Sequence, residues 1–289
     1  MPAARDLQEF CVRILACGDL DTKLTPPRDA SGRPLTDAPA EPIEIDQPRR
    51  DAGLQMSGGA ERLPKPGELG EAAARAECLA RFAHHELMAV ELFAWALLRW
   101  PQAPGELRKG LVAALADEQR HCQLYLGRLR AQGATFEGRT HSDYFWRQAP
   151  AIARSPAGLG AFLAAMGLTL EQANLDFTLT YRDGFRMAGD EGSARVCQRV
   201  HDDEIRHVAL AAEWLPRLAA DADENSAPNQ TAAYQAAVPF PLAANRAKGR
   251  RFDVPARKAA GLDAPFIEHV RKAQSSQQRA GQNPNRRTR

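Results

Sequence analysis

Long apolar runs are missing from this chain. The most apolar stretch, Leu87 to Leu98, spans twelve residues and is interrupted by Glu91, well short of the roughly 18 uncharged residues that a membrane-crossing helix needs. No membrane association is therefore expected. The opening residues Met1-Pro2-Ala3-Ala4-Arg5-Asp6 lack a basic segment followed by an apolar one, so no secretory signal is readable and a cytoplasmic protein is expected. Cysteine is sparse: Cys11, Cys17, Cys78, Cys122 and Cys197 are odd in number, widely scattered and without a C-x-x-C pair. That pattern argues against a disulfide framework or a zinc ribbon and for reduced core thiols. A phosphate-cradling glycine loop is also lacking, since Ser57-Gly58-Gly59 follows no apolar strand and Gly158 and Gly160 fall within an expected helix.

What is present suits one helical core with arms. The 44% hydrophobic and 26% charged residues are ordinary for a globular protein that closes a core, and 289 residues accommodate one core of about 150 plus extensions. The near-neutral balance hides an asymmetry: from Arg246 to Arg289 there are 12 Lys/Arg against 3 Asp/Glu, leaving 26 basic against 33 acidic residues upstream. Leu7 to Cys17 carries apolar residues at helical spacing, and Gly18 to Pro66 then holds eight prolines in 49 residues. That stretch is expected to wrap the surface in extended or partly disordered form, with Ile43 and Ile45 as anchors.

Four long helices are expected next. The first runs from about Glu68 to Trp100 and stops at Pro101; the second starts near Pro104 and ends at Gly133. The third begins with Ser155 as N-cap and Pro156 behind it and continues to about Gly189; the fourth runs from about Ser193 to Leu218. Short turns make each pair an antiparallel hairpin. The connection from Gly133 to Arg154, with Tyr144, Phe145 and Trp146, is long enough to run the length of a bundle. The expected fold is all-α, an antiparallel four-helix bundle with a long crossover between helices two and three, the ferritin-like topology. The expected organisation is an N-terminal helix and Pro-rich arm over 1–66, the bundle over 67–220, an extension with a short helix near Asp263 to Ala273 over 221–275, and a disordered basic tail over 276–289.

The chemistry lies in a duplication. The second helix reads Asp117-Glu118-Gln119-Arg120-His121 and the fourth Asp203-Glu204-Ile205-Arg206-His207. Residues at i and i+3 leave one helix face, so Glu118 with His121, and Glu204 with His207, can each grip one ion. The other two helices supply Glu86, 32 residues before Glu118, and Glu171, 33 before Glu204; Glu86-x-x-Ala89-x-Glu91 parallels Glu171-x-x-Asn174-x-Asp176. A single Glu-x-x-His on a helix is usually a solvated pair. Here each candidate shares a face with apolar residues: Glu86 with Leu79, Ala83, Val90 and Phe93, Glu118 and His121 with Leu115, Cys122 and Tyr125, Glu171 with Leu168 and Leu175, and Glu204 and His207 with Val200, Val208 and Ala211. Four carboxylates in a core cost several kcal/mol each unless cations compensate them. Oxygen donors with two imidazoles suit iron or manganese, alone or mixed, better than structural zinc. Glu91 and Asp176, five residues beyond the candidates, point elsewhere and are expected to make interhelical polar contacts. His201 is placed as an outer partner or spare ligand, His84 and His85 as packing or surface residues, and Tyr125 as a core tyrosine or redox neighbour.

At these residues, from about Glu68 to Leu218, the sequence resembles the di-iron carboxylate proteins of the ferritin-like superfamily, whose pattern is Glu, Glu-x-x-His, Glu, Glu-x-x-His. The Asp-Glu-x-Arg-His form resembles acyl-carrier-protein desaturases more than cage ferritins. The flanks Phe82-Ala83-His84-His85-Glu86 and Pro239-Phe240-Pro241 resemble an uncharacterised bacterial family of ferritin-like proteins. The resemblance implies that Glu86, Glu118, His121, Glu171, Glu204 and His207 hold two Fe ions, and that Asp117 and Asp203 accept from the histidine of the opposite hairpin, with Arg120 and Arg206 closing the network. It implies an O2-dependent oxidoreductase or hydroxylase acting on an organic substrate with an electron-donor protein. A tRNA-modifying hydroxylase, to which the basic C-terminal arm lends RNA as a partner, and a non-catalytic ferroxidase or metal-binding protein stay open, as does a homodimer.

Overall fold

Side-chain caps mark where the helices start. In a computed structural model describing residues 4–58, 62–222 and 229–274, Asp6 accepts from Glu9 N at 2.8 Å and Asp19 from Thr22 N at 2.8 Å, opening α1 (Leu7–Ala16) and α2 (Leu20–Lys23). Then follow α3 (Ala72–Arg99), α4 (Gly105–Ala131), α5 (Ala149–Ala153), α6 (Leu159–Ala165), a π-turn (Met166–Glu171), α7 (Gln172–Met187), α8 (Glu191–Ala222), α9 (Gln230–Ala237), α10 (Val254–Ala259) and α11 (Ala264–Lys272). The chain is all-α. Among the described residues there is no strand, only the isolated bridges Asp6–Thr36, Arg28–Pro34 and Met56–His141. The basic tail expected over 276–289 lies outside the described residues.

The chain divides into two compact units. The first comprises Met1–Arg154 and Thr180–Asp203. In it α3 packs along α4, and α1 buries Phe10, Cys11, Ile14 and Leu15 against α3. Its core includes Leu79, Ala83 and Leu87 of α3, Tyr125 and Leu129 of α4, and Phe185 and Val200. The turn into α4 exposes the last carbonyls of α3. Arg108 covers them, donating to Leu97 O at 2.9 Å and Trp100 O at 3.1 Å while gripping both carboxylate oxygens of Asp37 at 2.7 Å.

Buried charge is one of the things that hold the Pro-rich arm to this unit. Glu91, fully buried, accepts from Arg50 Nε and Nη2 at 3.0 and 2.7 Å and from Trp146 Nε1 at 2.9 Å, and pairs with Lys23 Nζ at 3.0 Å. Burial acts to raise the Glu91 pKa, and the two cations outweigh it and hold the carboxyl below its usual range. Burial, which strips water from the ammonium, lowers that of Lys23 despite the attraction of Glu91, and repulsion from Arg50 adds to the effect. Ile43 contributes a backbone bond to Leu98 O at 3.0 Å, but it and Ile45 are only partly buried, whereas Lys23, Leu24, Arg50 and Leu54 are buried.

The second unit comprises Ser155–Leu179 and Glu204–Arg289. Here the expected single third helix is corrected. Ser155 and Pro156 sit in a turn in which Gly158 N donates to Ser155 O at 3.1 Å, and the helix starts after Gly158, whose φ of +53° suits glycine alone. The helix is then interrupted by the π-turn. Gly167 within it lies so close to α8 that an added Cβ would come 2.4 Å from the Ala211 Cβ.

Pro216 inside α8 has no N–H for the carbonyl of Ala212. Gln230 at the start of α9 supplies the missing donor, its Nε2 reaching Ala212 O at 3.3 Å and Gly261 O at 3.0 Å, while its Oε1 accepts from Asp263 N at 2.8 Å. The short helix expected near Asp263 is α11, capped by Asp263 accepting from Phe266 N. Asp176 repeats the theme of Glu91: fully buried, it pairs with Arg257 Nη1 and Nη2 at 2.7 and 2.9 Å and accepts from Gly249 N and Asp253 N at 2.8 and 2.7 Å. Glu91 and Asp176 thus bind the arms that flank the long helices.

Candidate metal centre

One helical turn separates each carboxylate from its histidine. His121 Nδ1 lies 3.4 Å from Glu118 Oε2, and His207 Nδ1 lies 3.3 Å from Glu204 Oε2. Both pairs are buried, as are Glu86 on α3 and Glu171 at the end of the π-turn; none of the six is more than 6% exposed. Asn174, one turn beyond Glu171, donates to Glu204 Oε1 at 2.9 Å.

The histidine orientation has a visible cause. His121 Nε2 faces Asp203 Oδ2 at 3.1 Å, and that oxygen also accepts from Arg199 Nε at 2.8 Å. A proton on Nε2 donated to Asp203 leaves the Nδ1 lone pair toward Glu118, so the pair offers a nitrogen and an oxygen to one ion. Arg120 pairs with Asp117 and lies 3.6 Å from Asp203. Arg206 is exposed, and His201 is buried with Nδ1 3.2 Å from Asp202.

Glu86, Glu118, His121 and Glu204 each offer a ligand atom, all within 4.8 Å of one another, and Glu118, Glu171, Glu204 and His207 do the same. Glu118 and Glu204 belong to both groups. These buried carboxylates and imidazoles could hold a metal ion, and the donor set is chemically coherent: hard oxygens with borderline nitrogens, in a setting where uncompensated anions are costly. The nearby thiols of Cys122 and Cys197 belong to neither group. Burial pushes Cys122 well above its usual pKa, with Glu86 adding to it, and Cys197 up to about 12. Tyr125 is buried and raised likewise by burial, its hydroxyl directed at Cys197 Sγ at 3.9 Å.

His84 and His85 take no part in these groups. His84 Nε2 meets Ser142 O at 2.6 Å and its Nδ1 faces Arg50 Nη1 at 3.2 Å, so Nδ1 accepts and Nε2 donates; burial and Arg50 hold its pKa well below the usual value. His85 stacks on Phe145 at 5.3 Å. Sequence reasoning did not assign roles to Asn174 or Arg199. Asn174 lies at i+3 from Glu171, a signal that was available; Arg199 lies at i−4 from Asp203, an equally local one.

Fold and site together define an all-helical protein with a buried carboxylate and histidine cluster able to hold a metal ion. The chain belongs to the family described as protein of unknown function (DUF455), whose profile matches residues 17–268. No curated protein and no solved structure matches it.

Proposed function

We propose that this protein is a ferritin-like di-metal carboxylate protein, with α3, α4, α7 and α8 as its four-helix bundle, that binds two iron ions and oxidises an organic substrate with O2. The observation that carries this reading is the sharing of Glu118 and Glu204 between two ligand groups. Two carboxylates common to both groups, with Glu86 and His121 on one side and Glu171 and His207 on the other, is the donor arrangement of a pair of adjacent ions. Glu86, Glu118, His121, Glu171, Glu204 and His207 would hold the two ions, which when ferrous would supply the electrons for O2 reduction, with an electron-donor protein as the source of reductant.

The chain's own residues have separate tasks in this scheme. Asp203 holds the proton on His121 Nε2 and so keeps Nδ1 available as a ligand. Asn174 fixes the direction of Glu204 through its amide. The burial of all six donors keeps bulk water from them.

Metal analysis after anaerobic Fe(II) loading tests the reading. The wild-type chain is expected to hold two ions. Glu118→Ala and Glu204→Ala, each removing a shared ligand, lose both, whereas Glu86→Ala retains the ion of the other group. A wild-type protein that takes up no iron, or variants with unchanged content, refutes the di-metal reading. Iron-loaded protein that neither consumes O2 nor changes its absorption spectrum refutes the oxidoreductase.

A further inference from the structure

Of the six candidate ligands, Glu171 alone stands on a segment that is not α-helical. Its counterpart in the sequence duplication, Glu86, lies within the uninterrupted α3. A π-turn widens the helix by one residue and disturbs the regular i→i−4 ladder, so carbonyls within it and at its entrance turn to other donors. Here those donors are identifiable. Thr169 Oγ1 donates to Ala164 O at 2.7 Å. Gln172, with its amide oriented so that both ends are satisfied, donates to Leu168 O at 2.7 Å and accepts from Arg257 Nε at 3.1 Å.

Both of these side chains are themselves held by the C-terminal extension. Tyr234 of α9 lies with its hydroxyl 2.8 Å from Thr169 Oγ1; since the single Thr169 proton is committed to Ala164 O, Tyr234 is the donor. Burial raises the Tyr234 pKa to about 12, which keeps that proton in place. Arg257 of α10 is fully buried, sandwiched between Asp176 and the ring of Phe252, whose centroid is 3.8 Å from its Cζ. Its Nη2 also reaches Gln172 O at 3.5 Å and Ala247 O at 3.0 Å. The residues on either side of Glu171, Thr169 two before and Gln172 one after, are therefore each clamped by an extension residue far along the chain.

We propose that Tyr234 and Arg257 are positioning residues for Glu171: by completing the hydrogen bonds of the π-turn, the C-terminal extension aims this carboxylate at its metal. The inference rests on the di-metal reading above and deepens it. The two metal positions are then inequivalent. The one with Glu86 and His121 is built on regular helix, and the one with Glu171 and His207 depends on the docked extension.

The test is anaerobic titration of the full-length chain with Co(II), whose visible absorption reports ligand geometry. Tyr234→Phe and Thr169→Val remove one hydroxyl each and leave the volume nearly unchanged; Thr169→Ser keeps the hydroxyl; Glu171→Ala marks the position concerned. Wild type and Thr169→Ser are expected to bind two ions alike. Tyr234→Phe and Thr169→Val are expected to weaken the Glu171 position by about tenfold or more, in the range found when groups that orient ligands are removed, and to alter its absorption band while the other position and the helical circular dichroism stay as in wild type. Wild-type titration in both hydroxyl-deleted variants would overturn the positioning role and leave the di-metal reading standing. Equal weakening of both positions would also overturn it. A wild-type chain that binds no Co(II) would instead remove the reading on which it rests.

Discussion

Replacing Glu91 by glutamine leaves Arg50 and Lys23 buried without their counter-charge. The carboxylate accepts from Arg50 at 2.7 and 3.0 Å and from Trp146 at 2.9 Å, and pairs with Lys23 at 3.0 Å, with none of the Glu91 and Lys23 side chains and 2% of that of Arg50 exposed. Deleting one partner of a buried ion pair costs about 3–5 kcal/mol, because the remaining charge has neither water nor a partner. A domain stable by about 5–15 kcal/mol loses a large share of its margin. With a urea slope of about 2–3 kcal/mol/M, the unfolding midpoint of Glu91→Gln should fall by about 1–2 M. Lys23→Met added to this variant should recover part of the loss, since it removes one of the stranded cations. The control is Glu44→Gln at the Arg99–Glu44 pair, where Glu44 is 73% exposed and the expected change is below about 1 kcal/mol. Urea titrations of apo protein followed by far-UV circular dichroism measure all four chains. A Glu91→Gln midpoint no lower than that of Glu44→Gln would refute the claim that the arm is fastened by buried charge.

Two smaller perturbations probe how helices are started and mended. Asp190 caps α8 by accepting from Ser193 N at 3.0 Å and from Arg128 at 2.9 Å; burial acts to raise its pKa, but Ser193 and Arg128 hold it below the ordinary 3.8. A depressed carboxylate stabilises the fold fully above its unfolded pKa and ceases to do so as pH falls through the folded one, so Asp190→Asn should cost about 1 kcal/mol at pH 6, and the gap to wild type should narrow as pH is lowered through the depressed pKa of Asp190, read as urea midpoints along a series of falling pH values. Gln230→Ala withdraws the donor that covers the Ala212 carbonyl opposite Pro216 and should lower stability by about 1–2 kcal/mol. An unchanged melting temperature in that variant would show that the proline is accommodated without Gln230.

Local periodicity explains how much of the site was legible. The i, i+3 spacing of Glu118 with His121 and of Glu204 with His207 follows from helix geometry alone, and apolar neighbours at the same spacing place all four inside. Caps such as Asp6 and Asp263, and stops such as Pro101, are likewise properties of a few adjacent residues. The break in the third helix was not legible, since no residue of Met-Gly-Leu-Thr-Leu-Glu forbids an α-helix; the π-turn is sustained by Tyr234 and Arg257, 65 and 85 residues away from their partners. The same is true of the charged anchors: Glu91 stands as one anion in an apolar stripe, and only the folded chain brings Arg50 to it, 41 residues earlier, as it brings Arg257 to Asp176 across 81. Helix register is set by contacts within a turn or two and is therefore written in sequence. The partner of a buried charge, and the side chains that bond to the stretch of helix that widens, come from segments that meet only when the chain has folded.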